Sequence, residues 1–144
     1  MKREIKFRAW DIQEKKMISN GCIGAGSSCQ MIVIEWNGGL SLCNAYGLPD
    51  GSNPTFDKPV TERFELMQFT GLKDKNEKEI YEGDILKTGT DKPMVVGWSK
   101  KFASFVLNRN GWAFSHWFGE SCNPEDCEII GNKYQNAELL QSAV

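Results

Sequence analysis

Length, composition and charge place this chain among ordinary globular proteins. Its 144 residues suffice for one compact domain or two closely packed halves, and 40% hydrophobic with 25% charged residues excludes a disordered tail or a coiled coil. A formal net charge of -2 implies no wholesale attraction to nucleic acid or to an anionic membrane.

Apolar residues at alternate positions predict β-strands in the first half of the chain. Residues 4–10 alternate in this way, which indicates a strand with one buried face. Residues 31–36 and 40–43 predict two further strands, and the Asn-Gly-Gly sequence at 37–39 favours the positive φ angles of a tight turn, so a hairpin is expected there. The side chains predicted to share the buried face of the first strand are Ile5, Phe7 and Ala9.

Short strands continue through the second half. Residues 64–70 alternate again and carry bulky side chains on both faces, so this strand is expected to be covered on both sides. The Glu-Gly-Asp sequence at 82–84 predicts a tight bend at which Asp84 bonds to local backbone amides, in preference to a pair of catalytic carboxylates. Asn136 is predicted to cap a short C-terminal helical turn over 137–140. The remaining predicted strands are 94–98, 104–108, 112–117 and 128–130.

The number and shortness of these strands predict a mainly β fold. Many short strands with closely spaced turns are typical of a small barrel or a sandwich. We expect a single domain over residues 1–144. If the domain consists of two packed halves, the loop at 47–54 is their best boundary, which gives halves of about 1–54 and 55–144.

Nothing in the sequence predicts export or insertion into a membrane. The first ten residues contain no apolar run of the roughly 7 to 15 residues that a secretory signal needs, and nowhere do about 18 apolar residues follow one another. The cytoplasm is therefore the expected compartment. Its reducing conditions predict free thiols for all five cysteines, which are Cys22, Cys29, Cys43, Cys122 and Cys127.

Three sequence blocks lie at the two ends and in the middle of the chain. They are R-E-I-K-F-R-A-W-D at 3–11, M-Q-F-T-G-L-K-D-K-N at 67–76 with E-I-Y-E-G-D-I at 79–85, and I-I-G-N at 129–132 with N-A-E-L-L at 136–140. Together they resemble the YopX family of small phage and prophage proteins. This resemblance implies a mostly β protein with a barrel-like body, including a part similar to an SH3-like barrel, encoded by a phage or a prophage. It implies no activity, because the family offers no catalytic residues to carry over.

His116, Cys122 and Cys127 have the side-chain types that bind zinc. Their spacing argues against a zinc site, because such sites need two close ligand pairs and Pro124 interrupts the only near pair. A cysteine nucleophile would have to use His116 as its base, since the chain has one histidine, and His116 alternates with aromatic residues as a packed strand residue does. We therefore expect no metal, no cofactor and no enzymatic activity; a Cys/His enzyme is the least favoured function.

Binding is the function class that these exclusions favour. Exposed strand edges and loop tips of a β module are natural contact surfaces for another protein of the phage or its host, which is the partner we expect. A homo-oligomer is also left open, and no membrane partner is expected. The alternative is a nucleic-acid-binding module, because aromatic rings stack on bases while cations contact phosphates. The residues of that alternative basic and aromatic face are Arg8, Trp10, Trp98, Lys100, Lys101, Arg109 and Trp112.

Overall fold

The computed structural model describes residues 3–19, 22–23, 30–44, 56–59, 61–89, 92–109, 115–118 and 123–141. Within these ranges the chain is built mainly from β-strands. The strands are β1 (Phe7–Asp11), β2 (Lys16–Ile18), β3 (Cys22–Ile23), β4 (Gln30–Ile34), β5 (Leu40–Asn44), β6 (Phe56–Pro59), β7 (Phe64–Lys73), β8 (Glu79–Tyr81), β9 (Asp84–Lys87), β10 (Met94–Ser99), β11 (Ser104–Asn108), β12 (Ser115–Trp117) and β13 (Glu128–Asn132). A 3₁₀ turn covers Pro124–Asp126, and helix α1 covers Glu138–Gln141.

The chain divides into two compact units. The N-terminal unit is Phe7–Leu66, and the C-terminal unit combines Met1–Lys6 with Met67–Val144. Strand β7 contributes its first residues to the N-terminal unit and the others to the C-terminal unit. The predicted loop at 47–54 lies outside the described residues. No helix in the described part of the chain is long and apolar enough to cross a membrane.

The N-terminal unit contains antiparallel strands on one apolar core. Strand β1 pairs with β2, placing Trp10 opposite Met17, and lies next to β7 on its other side. A second sheet has the strand order β3-β4-β5-β6 and is antiparallel throughout. The buried side chains of this core are Ala9, Ile18, Leu40, Leu42 and Phe64.

The C-terminal unit is dominated by a five-stranded antiparallel sheet of order β12-β11-β10-β9-β13, which curls into a half-barrel. Strand β7 pairs with β8 in the same unit, and the register between β13 and β9 shifts between Ile129 and Gly131. Strand alternation places every second side chain on the inner face of this sheet. The core residues there are Ile80, Leu86, Met94, Val96, Leu107 and Cys127.

The predicted fold class is confirmed, since the fold is mainly β with a barrel-like sheet and a short C-terminal helix. The buried face predicted for the first strand is wrong for Ile5, which is 64% exposed, and for Phe7, whereas Ala9 is buried. The reason at Ile5 is that its neighbour Lys6 faces the protein. The Lys6 carbonyl accepts the backbone N–H of Phe69 at 2.9 Å, and its ammonium group lies 5.4 Å from the centre of the Phe69 ring.

The short C-terminal helix predicted after Asn136 is present as α1. The Asn136 carbonyl accepts the backbone N–H of Leu139 at 3.0 Å, so Asn136 does stand at the start of the helix. Its side-chain oxygen accepts the backbone N–H of Asn132 at 3.3 Å. Asn136 therefore ties α1 back to the end of β13.

Candidate binding surfaces

The turn between β4 and β5 has a rigid, hydrogen-bonded geometry. The backbone N–H of Gly38 donates to the carbonyl of Glu35, and the N–H of Glu35 donates to the carbonyl of Gly39, both at 2.9 Å. Gly38 has a φ of +84°, which glycine adopts without steric cost. The Asn37 side chain accepts the N–H of Gly39 at 2.8 Å, as asparagine commonly does in turns. The hairpin predicted around 37–39 is confirmed.

This turn holds Trp36 in solvent. Its relative exposure is 108%, although a tryptophan is largely buried in most proteins. Ile34, at the end of β4, is 42% exposed next to it. The residues from Val33 to Asn37 line an open groove of about 670 Å³. The hairpin therefore presents an aromatic ring and an aliphatic side chain beside a groove. We call this surface the Trp36 hairpin, residues 31–43.

Packing and hydrogen bonds within the N-terminal unit hold the strands of this hairpin in place. Ile32 packs on the apolar core, opposite Leu42 of β5. The backbone N–H of Leu40 donates to the Thr61 hydroxyl at 3.0 Å, and the Ser41 hydroxyl donates to the Glu35 carboxylate. These contacts anchor the strands on both sides of the turn. Trp36 is thus an exposed side chain on an ordered support.

The turn between β10 and β11 forms the second surface, which we call the Trp98 hairpin, residues 94–109. Trp98 faces Phe105 across the two strands, with ring centroids 5.1 Å apart at an edge-to-face angle of 77°. Phe105 in turn packs on the core of the C-terminal unit. Trp98 remains 46% exposed. The exposed Trp98 ring therefore packs against the Phe105 ring, which in turn packs against the core.

Cations surround this aromatic pair. Lys100 and Lys101 are exposed in the turn, and the Lys101 ammonium group lies 5.3 Å from the centre of the Phe102 ring. Phe102 is 43% exposed, and its backbone N–H donates to the Ser99 hydroxyl at 3.3 Å. The turn closes at Ala103, whose φ of +48° is unusual for a residue other than glycine. The result is a compact basic and aromatic tip.

The seven residues of the predicted nucleic-acid face fall on both units. Arg8 and Trp10 belong to the N-terminal unit, while Trp98, Lys100, Lys101 and Arg109 belong to the C-terminal unit. Trp112 lies outside the described residues. Trp98, Lys100 and Lys101 lie together at the turn of one hairpin, and Arg109 lies at the far end of the same hairpin.

The other described members of that set have different environments. Trp10 is 8% exposed, so its ring is not open to a ligand. Arg8 is half-buried in β1. Arg109 follows the far end of β11, on the order of 15 Å from the turn, because each strand residue advances about 3.3 Å.

The structure describes the side chains of two of the five cysteines. Cys43 and Cys127 are both buried, and the Cys127 sulfur donates to the Asn123 carbonyl at 3.3 Å within the core of the C-terminal unit. His116 lies in β12, opposite Leu107, which confirms the predicted strand 112–117 over 115–117, while 112–114 lie outside the described residues. Cys22 lies in β3, while Cys29 and Cys122 lie outside the described residues. Among the described residues, no group of three His, Cys, Asp or Glu side chains is placed to hold a metal ion.

Buried carboxylates organise the backbone of both units. In the N-terminal unit, Arg63 donates two hydrogen bonds to Asp11, at 2.7 and 3.2 Å, and the N–H groups of Gln13 and Glu14 donate to the same carboxylate. Burial pushes the pKa of Asp11 upward, but these hydrogen bonds outweigh burial, so the pKa lies below its ordinary value. Asp11 is therefore a structural carboxylate that stays ionised.

Asp74 plays the corresponding part in the C-terminal unit. Its oxygens accept the backbone N–H groups of Asn76 at 2.8 Å, Lys78 at 3.0 Å and Ile129 at 3.1 Å. Burial raises the pKa of Asp74, and these three N–H donors outweigh it, so the pKa is lowered. Asp84 accepts the N–H of Tyr81 at 2.8 Å, which confirms the bend predicted at 82–84. These carboxylates hold loops and strands together.

Sequence reasoning did not single out three aromatic and aliphatic side chains of these surfaces. They are Trp36, Ile34 and Phe102. The signal for Trp36 was its position next to Asn-Gly-Gly, because a residue inside a tight turn has no strand neighbour to cover it. Phe102 offered a similar signal, since it follows Lys100 and Lys101 in a turn.

Comparison with known proteins places the chain in a family. The model described as YopX protein matches residues 6–141, nearly the whole chain. This chain belongs to the YopX family. The predicted resemblance is thereby confirmed. No curated protein matches the chain.

A solved structure has a similar fold. It is the crystal structure of protein EF1440 from Enterococcus faecalis, 26% identical in sequence, with a TM-score of 0.59. The match covers 96% of the present chain and 99% of the other. Because the two chains correspond over nearly their full lengths, the mainly β fold is shared as a whole.

Proposed function

We propose that this YopX-family protein is a non-enzymatic binding module, encoded by a phage or prophage, that binds a protein partner in the bacterial cytoplasm. The observation that carries this proposal is the fully exposed Trp36 on the ordered hairpin turn. Tryptophan, with tyrosine and arginine, is enriched among the side chains that dominate binding energy in protein interfaces. The Trp36 hairpin is therefore the proposed contact surface.

The energetics favour a partner that covers Trp36. Burying an aromatic side chain removes roughly 200 Å² from water, which is worth about 5 kcal/mol before the costs of association. The turn bonds around Glu35 and Gly38 already restrict the backbone, so little backbone entropy is lost on binding. Ile34 extends the apolar area beside the ring. A partner with an apolar or aromatic side chain fits the groove from Val33 to Asn37.

The test is site-specific photo-crosslinking in bacteria that carry the gene. A benzophenone amino acid replaces Trp36 in the full chain, and a matched variant carries the same group at Lys16, which is exposed in β2 of the same unit. A protein partner is expected to give a discrete adduct from position 36, and none from position 16. The adduct should resist nuclease and disappear with protease.

A second comparison uses the isolated adduct partner. Trp36→Ala should weaken its binding by roughly 30-fold, the loss typical of a dominant interface residue, while Trp36→Phe should retain most of it. Equal crosslinking from positions 16 and 36, or a nuclease-sensitive adduct, would contradict the proposal.

The alternative function, nucleic-acid binding, is favoured by one specific observation. The Trp98 hairpin brings Trp98, Lys100 and Lys101 together in the C-terminal unit. That surface shares no residue with the Trp36 hairpin, so the two ligands do not require the same side chains.

A further inference from the structure

The Trp98 hairpin combines three properties in a short stretch of chain. It has a supported aromatic ring, a cationic turn and no acidic residue anywhere from Lys92 to Arg109. The ring and the cations lie at the same end of the hairpin, because Trp98 directly precedes the turn that carries Lys100 and Lys101. A ligand that uses all three properties needs both a planar group and negative charge.

The ring of Trp98 is a preformed platform. Its edge-to-face contact with Phe105 restricts rotation, and Phe105 packs on the buried core of the C-terminal unit. A ring held in this way loses little side-chain freedom when a planar ligand stacks on it. Its 46% exposure leaves room for such a ligand.

The cations of the turn are available for an anionic partner. Within the described residues, neither Lys100 nor Lys101 takes part in an ion pair with a carboxylate. The Lys101 ammonium group lies near the Phe102 ring, which holds it close to the hairpin tip. Two adjacent cations in a stretch that has no acidic residue from Lys92 to Arg109 produce a positive potential that attracts an anionic chain.

We propose that the Trp98 hairpin binds single-stranded nucleic acid, with a base stacked on Trp98 and neighbouring phosphates at Lys100 and Lys101. A base supplies the planar face that Trp98 accommodates, and its own backbone supplies the negative charge. A duplex keeps its bases stacked inside, so it can satisfy the lysines but not the ring. An acidic peptide likewise pairs with the lysines and lacks the repeated planar group.

This inference goes beyond the proposed protein-binding function and uses residues of the other unit. The protein would then carry two independent surfaces, one for a protein and one for a nucleic acid strand. Failure of either can be recognised separately, because Trp36→Ala alters only the first surface and Trp98→Ala only the second.

The experiment is a fluorescence-anisotropy titration of the full chain with a labelled oligothymidine of about 12 nucleotides and with a duplex of equal length. The expected result is tighter binding of the single strand at about 20 mM salt and marked weakening at about 200 mM. Trp98→Ala should weaken single-strand binding by roughly 5- to 100-fold. Trp98→Phe should retain most of the affinity, and its circular dichroism and thermal unfolding should match those of the wild type.

The cations are tested by the double variant Lys100→Gln and Lys101→Gln. Both side chains are exposed, so the fold should be unchanged. The slope of log affinity against log salt should fall by about 1.4, the value for two phosphate contacts on a single strand. Trp36→Ala is the matched control and should bind the oligonucleotide like the wild type.

Several results would overturn the inference. They are absence of single-strand binding at about 20 mM salt, equal affinity for the duplex, unchanged affinity in both Trp98 variants, and an unchanged salt slope in the double lysine variant. Displacement of the oligonucleotide by polyglutamate at comparable charge concentration would instead assign the hairpin to an acidic protein segment.

Discussion

The two units each bury a carboxylate, but they compensate its charge differently. Asp11 in the N-terminal unit is 0% exposed and accepts hydrogen bonds from the guanidinium of Arg63. Asp74 in the C-terminal unit is 2% exposed and accepts three backbone N–H groups. A buried carboxylate can thus be held mainly by a cation, as at Asp11, or mainly by backbone N–H groups, as at Asp74. The first arrangement depends largely on the Arg63 side chain, and the second depends largely on the backbone path around Asp74.

The largest expected effect comes from removing the cation next to each buried carboxylate, which should destabilise the two sites to different degrees. Arg63→Ala leaves Asp11 as a buried charge without its cationic partner and should destabilise the protein by about 3 kcal/mol. Lys78→Ala, the matched change near Asp74, should cost less than about 0.5 kcal/mol, because Lys78 is exposed and its backbone N–H remains. Urea unfolding measures both, and hydrogen exchange should locate the Arg63 effect in the N-terminal unit. Equal losses in the two variants would refute the comparison.

The next largest effect tests the main-chain arrangement directly. Asp74→Ala removes the acceptor of three backbone N–H groups, and we expect a loss of about 2 to 3 kcal/mol in the free energy of unfolding. Asp126→Ala removes the same charge from an exposed position and is the control. Exchange of the Ile129 amide should accelerate in the first variant only. A stability equal to that of the control would show that Asp74 is not needed.

A smaller effect concerns the strand that Asp74 anchors. At Gly131, just beyond Ile129 in β13, an added Cβ would lie 2.5 Å from the Asn136 side-chain oxygen and 2.9 Å from its Cβ. Gly131→Ala should therefore cost about 2 kcal/mol. Adding Asn136→Ala should recover part of that loss, so the two changes should not be additive in thermal unfolding. Strict additivity would exclude this contact as the cause.

The smallest effect is the response of both units to acid. The pKa values of Asp11 and Asp74 are lowered in the folded protein, because hydrogen bonds from Arg63 and from backbone N–H groups outweigh burial. A lowered folded pKa adds stability above the unfolded pKa of about 3.9, and this stability is lost as the pH falls through the folded value. Urea midpoints should therefore be level between about pH 5 and 7 and fall below about pH 4. Asp74→Asn should reduce the fall, and a fall of unchanged size would contradict the role of Asp74.

Local patterns predicted much of the fold. Alternation located β7, short apolar runs between turn signals located β4, β5, β10 and β11, and Asn-Gly-Gly located the turn at Gly38, because strand faces and turn dihedrals depend on neighbouring residues. Strands β2, β3, β6, β8 and β9 were missed. They have two to four residues each, which is too short for a period of two to be distinguished from chance.

The candidate surfaces were less predictable than the strands. The predicted basic and aromatic face included both Trp10 and Trp98, because each is a tryptophan close to basic residues in the sequence. In the structure Trp10 is 8% exposed and Trp98 is 46% exposed. Whether a ring is covered depends on segments distant in sequence, and no local pattern contains that information.

The sequence by itself determined the family, the mainly β fold and the position of the Gly38 turn, since each depends on residue types at short spacing. Tertiary structure alone decided that Asp74 reaches Ile129, 55 residues away, and that Trp36 is exposed whereas Trp10 is buried. The physical reason is that hydrogen bonding and burial are properties of the space around a side chain. That space is filled only when distant strands pair.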